Sequence, residues 1–135
     1  MVICPDKGAY ERSRAFAKYF GDNVPVVQFN KKRDVVTGQV TMEGEMNVEN
    51  KDVIIADDII ATGGTMALAI EIAKKSNARQ IIAACTFPLL IGNGSLKLLS
   101  SGATAIVGTD AIDSQVSVVS LADVIVEELK KHIEN

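Results

Sequence analysis

Two adjacent carboxylates, Asp57 and Asp58, end the apolar run Val53–Ala56, and a flexible hydroxyl-rich turn, Ala61-Thr62-Gly63-Gly64-Thr65, follows just behind them. A helical pattern starts at once after the turn. Gly63 and Gly64 let the backbone curl so that successive N–H groups converge, Thr62 and Thr65 add hydroxyl donors, and a helix N-terminus adds partial positive charge. That combination is a monophosphate cradle. It is neither a Walker loop, since no Gly-Lys-Ser/Thr follows, nor a dinucleotide-binding GxGxxG. Two carboxylates beside a phosphate repel it by several kcal/mol unless they face something else. Carboxylates accept hydrogen bonds from a sugar diol, or they bind a divalent cation that balances phosphate. A phosphate at one end and vicinal hydroxyls at the other describe a ribose 5-phosphate.

The elements that must position these groups follow from periodicity. "VIC", "VPVVQF", "DVIIA", "QIIAACTF", "ATAIVG" and "VSVVS" read as strands. Between them lie helical patterns: "GAYERSRAFAKYFG" with Tyr10, Arg14, Ala17 and Phe20 on one face, a helix from about Gly63 to Ser76, a short one near Ser95–Ser100, and a closing "LADVIVEELKKHI". Strands alternating with helices predict parallel βαβ units, and poor in-strand alternation predicts a sheet covered on both faces. The expected fold is α/β, a three-layer sandwich around a mostly parallel sheet of about five strands, formed by one domain over residues 1–135. In such sheets ligands sit beyond the carboxyl ends of the strands, where the Asp pair and the turn are expected. Residues 30–50 are the exception, some twenty residues of mixed charge with weak alternation, expected to be a flexible functional loop.

Composition narrows the partners. The formal charge of −3 and an aromatic content of 4% argue against a nucleic-acid surface. Cys4 and Cys85 sit in apolar runs without a CxxC or neighbouring His, so they read as buried hydrophobes, not disulfide or metal partners. His132 in the last helical turn suits the helix dipole. With no basic-then-apolar start and no long apolar segment, a cytoplasmic location away from membranes is expected.

"VIIADDIIATGGTM" resembles the ribose-phosphate motif of the type I phosphoribosyltransferase fold. Three further stretches resemble the carboxyl-terminal half of the ribose-phosphate pyrophosphokinase (PRPP synthetase) family: "ICPDKGAYERSRAFAKYFG", "NKKRD", and "CTFPLLIGN" with "TDAI…VSVVSLADVIVEEL". The resemblance implies that Asp57 and Asp58 hold the ribose hydroxyls directly or through Mg²⁺, and that Ala61, Thr62, Gly63, Gly64 and Thr65 hold the 5-phosphate. It places Asp6 near the ribose and metal, likens Lys7 and Gly8 to a pyrophosphate-binding loop, and puts Lys31, Lys32 and Arg33 on a catalytic loop stabilising the transferring diphosphoryl group. Positioned cations are the main aid to such transfer.

The implied ligands are ribose 5-phosphate or phosphoribosyl pyrophosphate (PRPP), with ATP shared with a second half that supplies most of its site. A homo-oligomer or a complex with that ATP-site domain is expected. Two positions depart from the family pattern: Phe87 stands where a His commonly follows Cys-Thr, and Ala61 replaces an acidic or hydroxyl residue. A stand-alone phosphoribosyltransferase is a second reading, against which no extra base-binding hood segment is found. A non-catalytic phosphoribosyl-binding regulatory module is a third.

Overall fold

The computed structural model describes residues 1–5, 7–33, 40–43 and 47–133, with Lys7, 30–33 and 40–43 described by backbone alone. In chain order, β1 is Val2–Cys4, α1 Tyr10–Lys18, β2 Val26–Gln28, β3 Asn30–Arg33, β4 Val40–Glu43 and β5 Asp52–Ile60. They are followed by α2 (Gly64–Lys75), β6 (Gln80–Pro88), α3 (Gly94–Ser101), β7 (Ala105–Thr109), β8 (Ser117–Val119) and α4 (Ala122–Ile133). Six strands form one sheet in the order β2-β1-β5-β6-β7-β8, every neighbouring pair parallel. This is the expected α/β sandwich with one strand more than anticipated.

Strand alternation divides the helices between two faces. Val53, Ile55, Ile81 and Ala83 point to one side and join Met66, Ile70, Ala73 of α2 and Leu98 of α3 in a single core. Ile70 and Leu98 are fully buried, and each such side chain contributes about 1.5–3 kcal/mol through burial. On the opposite face α1 lies against β1 and β2. Its buried positions are Ser13 and Ala17, preceded by buried Ala9. Small residues at four-residue spacing let this helix approach the sheet closely, and Phe20, read at helical spacing with Ala17, is exposed beyond the helix end. Phe20 instead meets Phe16 edge to face.

Residues 30–50 hold more structure than the mixed charge suggested. β3 and β4 form a two-stranded antiparallel ribbon with Lys31 opposite Met42 and Arg33 opposite Val40. Phe29 and Val48, at either end of this segment, are completely buried and anchor it. At the sheet's far edge, Leu121 N–H donates to the Asp110 carboxylate at 2.9 Å, tying β7 to the start of α4. That bond, with the Ser120 hydroxyl, holds the Asp110 pKa below its ordinary value.

Candidate functional site

β5 continues past the two carboxylates. Ile59 and Ile60 still pair with Phe87 and Pro88 of β6, so Asp57 and Asp58 lie inside the strand and not in the turn after it. Being consecutive strand residues, they face opposite sides. Asp57 lines a small cavity of about 150 Å³ together with Ala61, Thr62, Gly63, Gly64 and Thr65. Asp58 is absent from that cavity. Its Oδ2 is 3.0 Å from Nη2 of Arg12 on α1, at the rim of a larger groove of about 330 Å³ on the α1 face, which Asp57 lines as well. This ion pair is largely exposed, so its own contribution to stability is small.

The cradle is held from beneath. Gly63 caps α2 in the left-handed conformation (φ 76°), and α3 packs directly under it, since a Cβ at Gly63 would lie 3.1 Å from Leu98 Cδ2 and 3.4 Å from the Gly94 carbonyl. Gly64 is different: a Cβ there would find nothing nearer than Thr62 Oγ1 at 3.9 Å, so its lack of a side chain serves the cavity and not the fold. The segment after β6 fixes the other side, with Leu90 N–H donating to the Ile60 carbonyl and Ile91 N–H to the Ala61 carbonyl. Lys97 of α3 donates to the Thr62 carbonyl at 3.1 Å.

No side chain caps α2, and its first turn contains no acidic residue. Helix N-termini usually recruit Asp or Glu to meet their partial positive charge. Arg12 and Lys97 lie in the first turns of α1 and α3, where a cation opposes the helix dipole. Both were missed in the sequence, and this misplaced charge was the signal that could have found them.

The remaining predicted residues are placed less completely. Lys7 lies in a single 3₁₀ turn (Lys7–Ala9) after β1, at the same carboxyl edge of the sheet. Asp6 lies outside the described residues. Lys31, Lys32 and Arg33 lie on β3, whose partner β4 runs next to α2. Cys4 and Cys85 are both buried, and neither forms a disulfide. Burial, opposed by a hydrogen bond with the Ile60 backbone and aided by the Asp57 charge, pushes the Cys85 thiol up to about 11. Cys85, opposite Asp57 in the ladder, is thus a protonated packing group at neutral pH.

Among the described residues no cluster of three His, Cys, Asp or Glu could hold a metal alone. Mg²⁺ does not require one, because it is commonly held by one or two carboxylates together with substrate phosphates and water. Asp57, beside a phosphate-sized cavity, fits that mode.

A helix-start cradle with a strand carboxylate on its wall agrees with the match of residues 1–123 to the family described as Phosphoribosyl transferase domain. The chain belongs to the phosphoribosyl transferase domain family. Its similar relatives include ribose-phosphate pyrophosphokinase 2 of Archaeoglobus fulgidus, 36% identical over 96% of this chain and 47% of the relative. The ribose-phosphate pyrophosphokinase of Sulfurisphaera tokodaii is 39% identical over 91% of this chain and 42% of the relative. The crystal structure of phosphoribosylpyrophosphate synthetase from Mycobacterium smegmatis superposes with a TM-score of 0.76 at 27% identity, covering 99% of this chain and 45% of that one. This member of the family therefore carries the pyrophosphokinase-like form of the domain and spans about half the length of the curated relatives it matches. Among the described residues no helix is long and apolar enough to cross a membrane.

Proposed function

We propose that the chain binds ribose 5-phosphate or PRPP and contributes to diphosphoryl transfer from Mg-ATP to ribose 5-phosphate, together with a second half that completes the ATP site. The observation that carries this reading is the single 150 Å³ cavity shared by Asp57 and the Ala61–Thr65 turn at an uncapped helix start. In this reading the 5-phosphate takes the N–H groups and hydroxyls of the turn, and Lys97 keeps the turn in shape by holding the Thr62 carbonyl. Asp57 orients the ribose hydroxyls, and Asp58 joins it by exchanging Arg12 for the ligand. The ribose 1-hydroxyl oxygen then bonds to the β-phosphorus of ATP, the bond from that phosphorus to the α,β-bridging oxygen breaks, AMP leaves, and the hydroxyl proton is released. Lys31, Lys32 and Arg33 offset charge on the transferring group, the kind of interaction that strengthens as charge develops. Mg²⁺, held by Asp57 and by the ligand's own oxygens, with Asp58 and Asp6 as further carboxylates, balances phosphate charge when bound.

Calorimetry with PRPP tests the reading. Affinity rises at least tenfold from EDTA to millimolar Mg²⁺, because the diphosphate lies beside carboxylates. Equal affinity in both conditions removes the basis for the carboxylate-and-metal assignment.

A further inference from the structure

Both oxygens of Asp58 are engaged in the ligand-free site. Oδ1 accepts the Ile59 N–H at 2.9 Å, and Oδ2 lies 3.0 Å from Arg12 Nη2. One residue earlier, Asp57 Oδ1 accepts the Asp58 N–H at 2.9 Å, so backbone bonds hold the two carboxylates in a set relation along β5. Arg12, Asp57 and Asp58 line one groove. Neighbouring carboxylates repel each other, and the guanidinium lowers the net charge they present together. Stability does not explain why it stands there. A cation in the first turn of α1 opposes the helix dipole, and the ion pair itself is largely exposed, so neither contact gains much.

A guanidinium carries donors and no lone pair, so it cannot share Asp58 Oδ2 with a metal as a fellow ligand. Arg12 and a divalent cation therefore compete for the same oxygen. Mg²⁺ sheds its water reluctantly and is usually held by one or two carboxylates together with substrate phosphates. Among the described residues lining the two cavities, Asp57 is the one other carboxylate. We propose that Arg12 is a counter-ion latch: it occupies Asp58 until a divalent cation arrives on a ligand's phosphates, and so couples metal entry to ligand binding. Arg12 acts through Asp58 and is a positioning residue. The inference rests on the ligand reading above, because it requires Asp58 to turn from Arg12 to the metal and ligand.

Mn²⁺ titrated into the full chain, with the unbound ion read by electron paramagnetic resonance, measures metal affinity in the absence of ligand. Arg12→Gln is expected to tighten Mn²⁺ binding by roughly three- to fivefold, the most that an exposed ion pair withholds. The side chain of Arg12 is 62% exposed, so the substitution leaves the core untouched. Arg12→Lys retains the charge and is expected to stay close to wild type. In an Asp58→Asn background Arg12→Gln is expected to leave Mn²⁺ affinity nearly unchanged, because the pair is already gone. Calorimetry with PRPP supplies a second arm: Arg12→Gln weakens binding by a similar factor in EDTA and little in millimolar Mg²⁺, which widens the gain from metal. Equal Mn²⁺ affinities for wild type and Arg12→Gln overturn the latch, and so does an equal tightening in the Asp58→Asn background, which marks plain repulsion acting past Asp58. Either result beside Mg²⁺-dependent PRPP binding leaves the ligand reading standing, whereas a folded wild-type chain that binds no PRPP in Mg²⁺ removes both.

Discussion

Gly63 and Gly64 are neighbours with opposite duties, and alanine separates them. At Gly63 the backbone is left-handed, which costs a non-glycine residue about 1–2 kcal/mol. The new Cβ also lies 3.1 Å from Leu98 Cδ2 and 3.4 Å from the Gly94 carbonyl. Leu98 is fully buried and the carbonyl is backbone, so neither yields cheaply. Overpacking of this kind adds about 1–3 kcal/mol, giving roughly 2–5 kcal/mol lost for Gly63→Ala. At Gly64 nothing is crowded and φ is not positive. Gly64→Ala is therefore expected within about 0.5 kcal/mol of wild type. Its methyl group enters the cavity instead, and ribose 5-phosphate affinity falls by on the order of tenfold or more, about 1.4 kcal/mol. Gly64→Val deepens the affinity loss by filling more of the same space. Urea unfolding and calorimetry on both variants are the assays. Equal stabilities for Gly63→Ala and Gly64→Ala, or undiminished affinity in folded Gly64→Val, would falsify this division of roles.

Two further outcomes follow from other parts of the site. Lys32→Ala and Arg33→Ala are expected to leave ribose 5-phosphate affinity within a few-fold while lowering turnover by on the order of a hundredfold in an assay completed with an ATP-site half; matched losses in both would make the basic triplet a ground-state binding device. The raised thiol pKa of Cys85, about 11 against 9.0, means that the folded chain keeps a proton the unfolded chain has lost. Its contribution is fully present below pH 9 and is lost as pH climbs towards 11, on the order of 1–2 kcal/mol. Urea midpoints across that range should fall more steeply in wild type than in Cys85→Ala, and parallel slopes would contradict the assignment.

The surroundings of the turn were legible because they are local: Thr-Gly-Gly-Thr, a helix start and a carboxylate lie within a dozen residues. The strands and their parallel pairing were legible for a similar reason, since each apolar run is bounded by turn residues and followed by a helical pattern. What stayed hidden depended on tertiary neighbours. The run "DVIIA" gave no sign that β5 continues through Asp57 and Asp58 to Ile60, because that extension exists only where β6 pairs alongside it. The same extension leaves only Asp57 on the turn's cavity, while both carboxylates line the α1-face groove. Of Tyr10, Arg14, Ala17 and Phe20, read at helical spacing, only Ala17 is buried, and the sheet takes Ser13 beside it. The ribbon of β3 and β4 was masked by mixed charge, which does not prevent a two-stranded pairing. Arg12 and Lys97 become meaningful only when their partners, Asp58 and the Thr62 carbonyl, are brought to them from other elements. The pattern of α4 announced an amphipathic helix but not that, among the described residues, its apolar face is exposed.

The central claim is that the turn from Ala61 to Thr65 recognises a sugar phosphate through its phosphate. Calorimetric titration of the chain with ribose 5-phosphate and, in parallel, with ribose tests that claim most directly. Ribose 5-phosphate is expected to bind at least a hundredfold more tightly, a difference of about 2.8 kcal/mol, and inorganic phosphate is expected to compete with it. Equal affinity for the two sugars, or no binding of ribose 5-phosphate to the folded chain, would contradict the account.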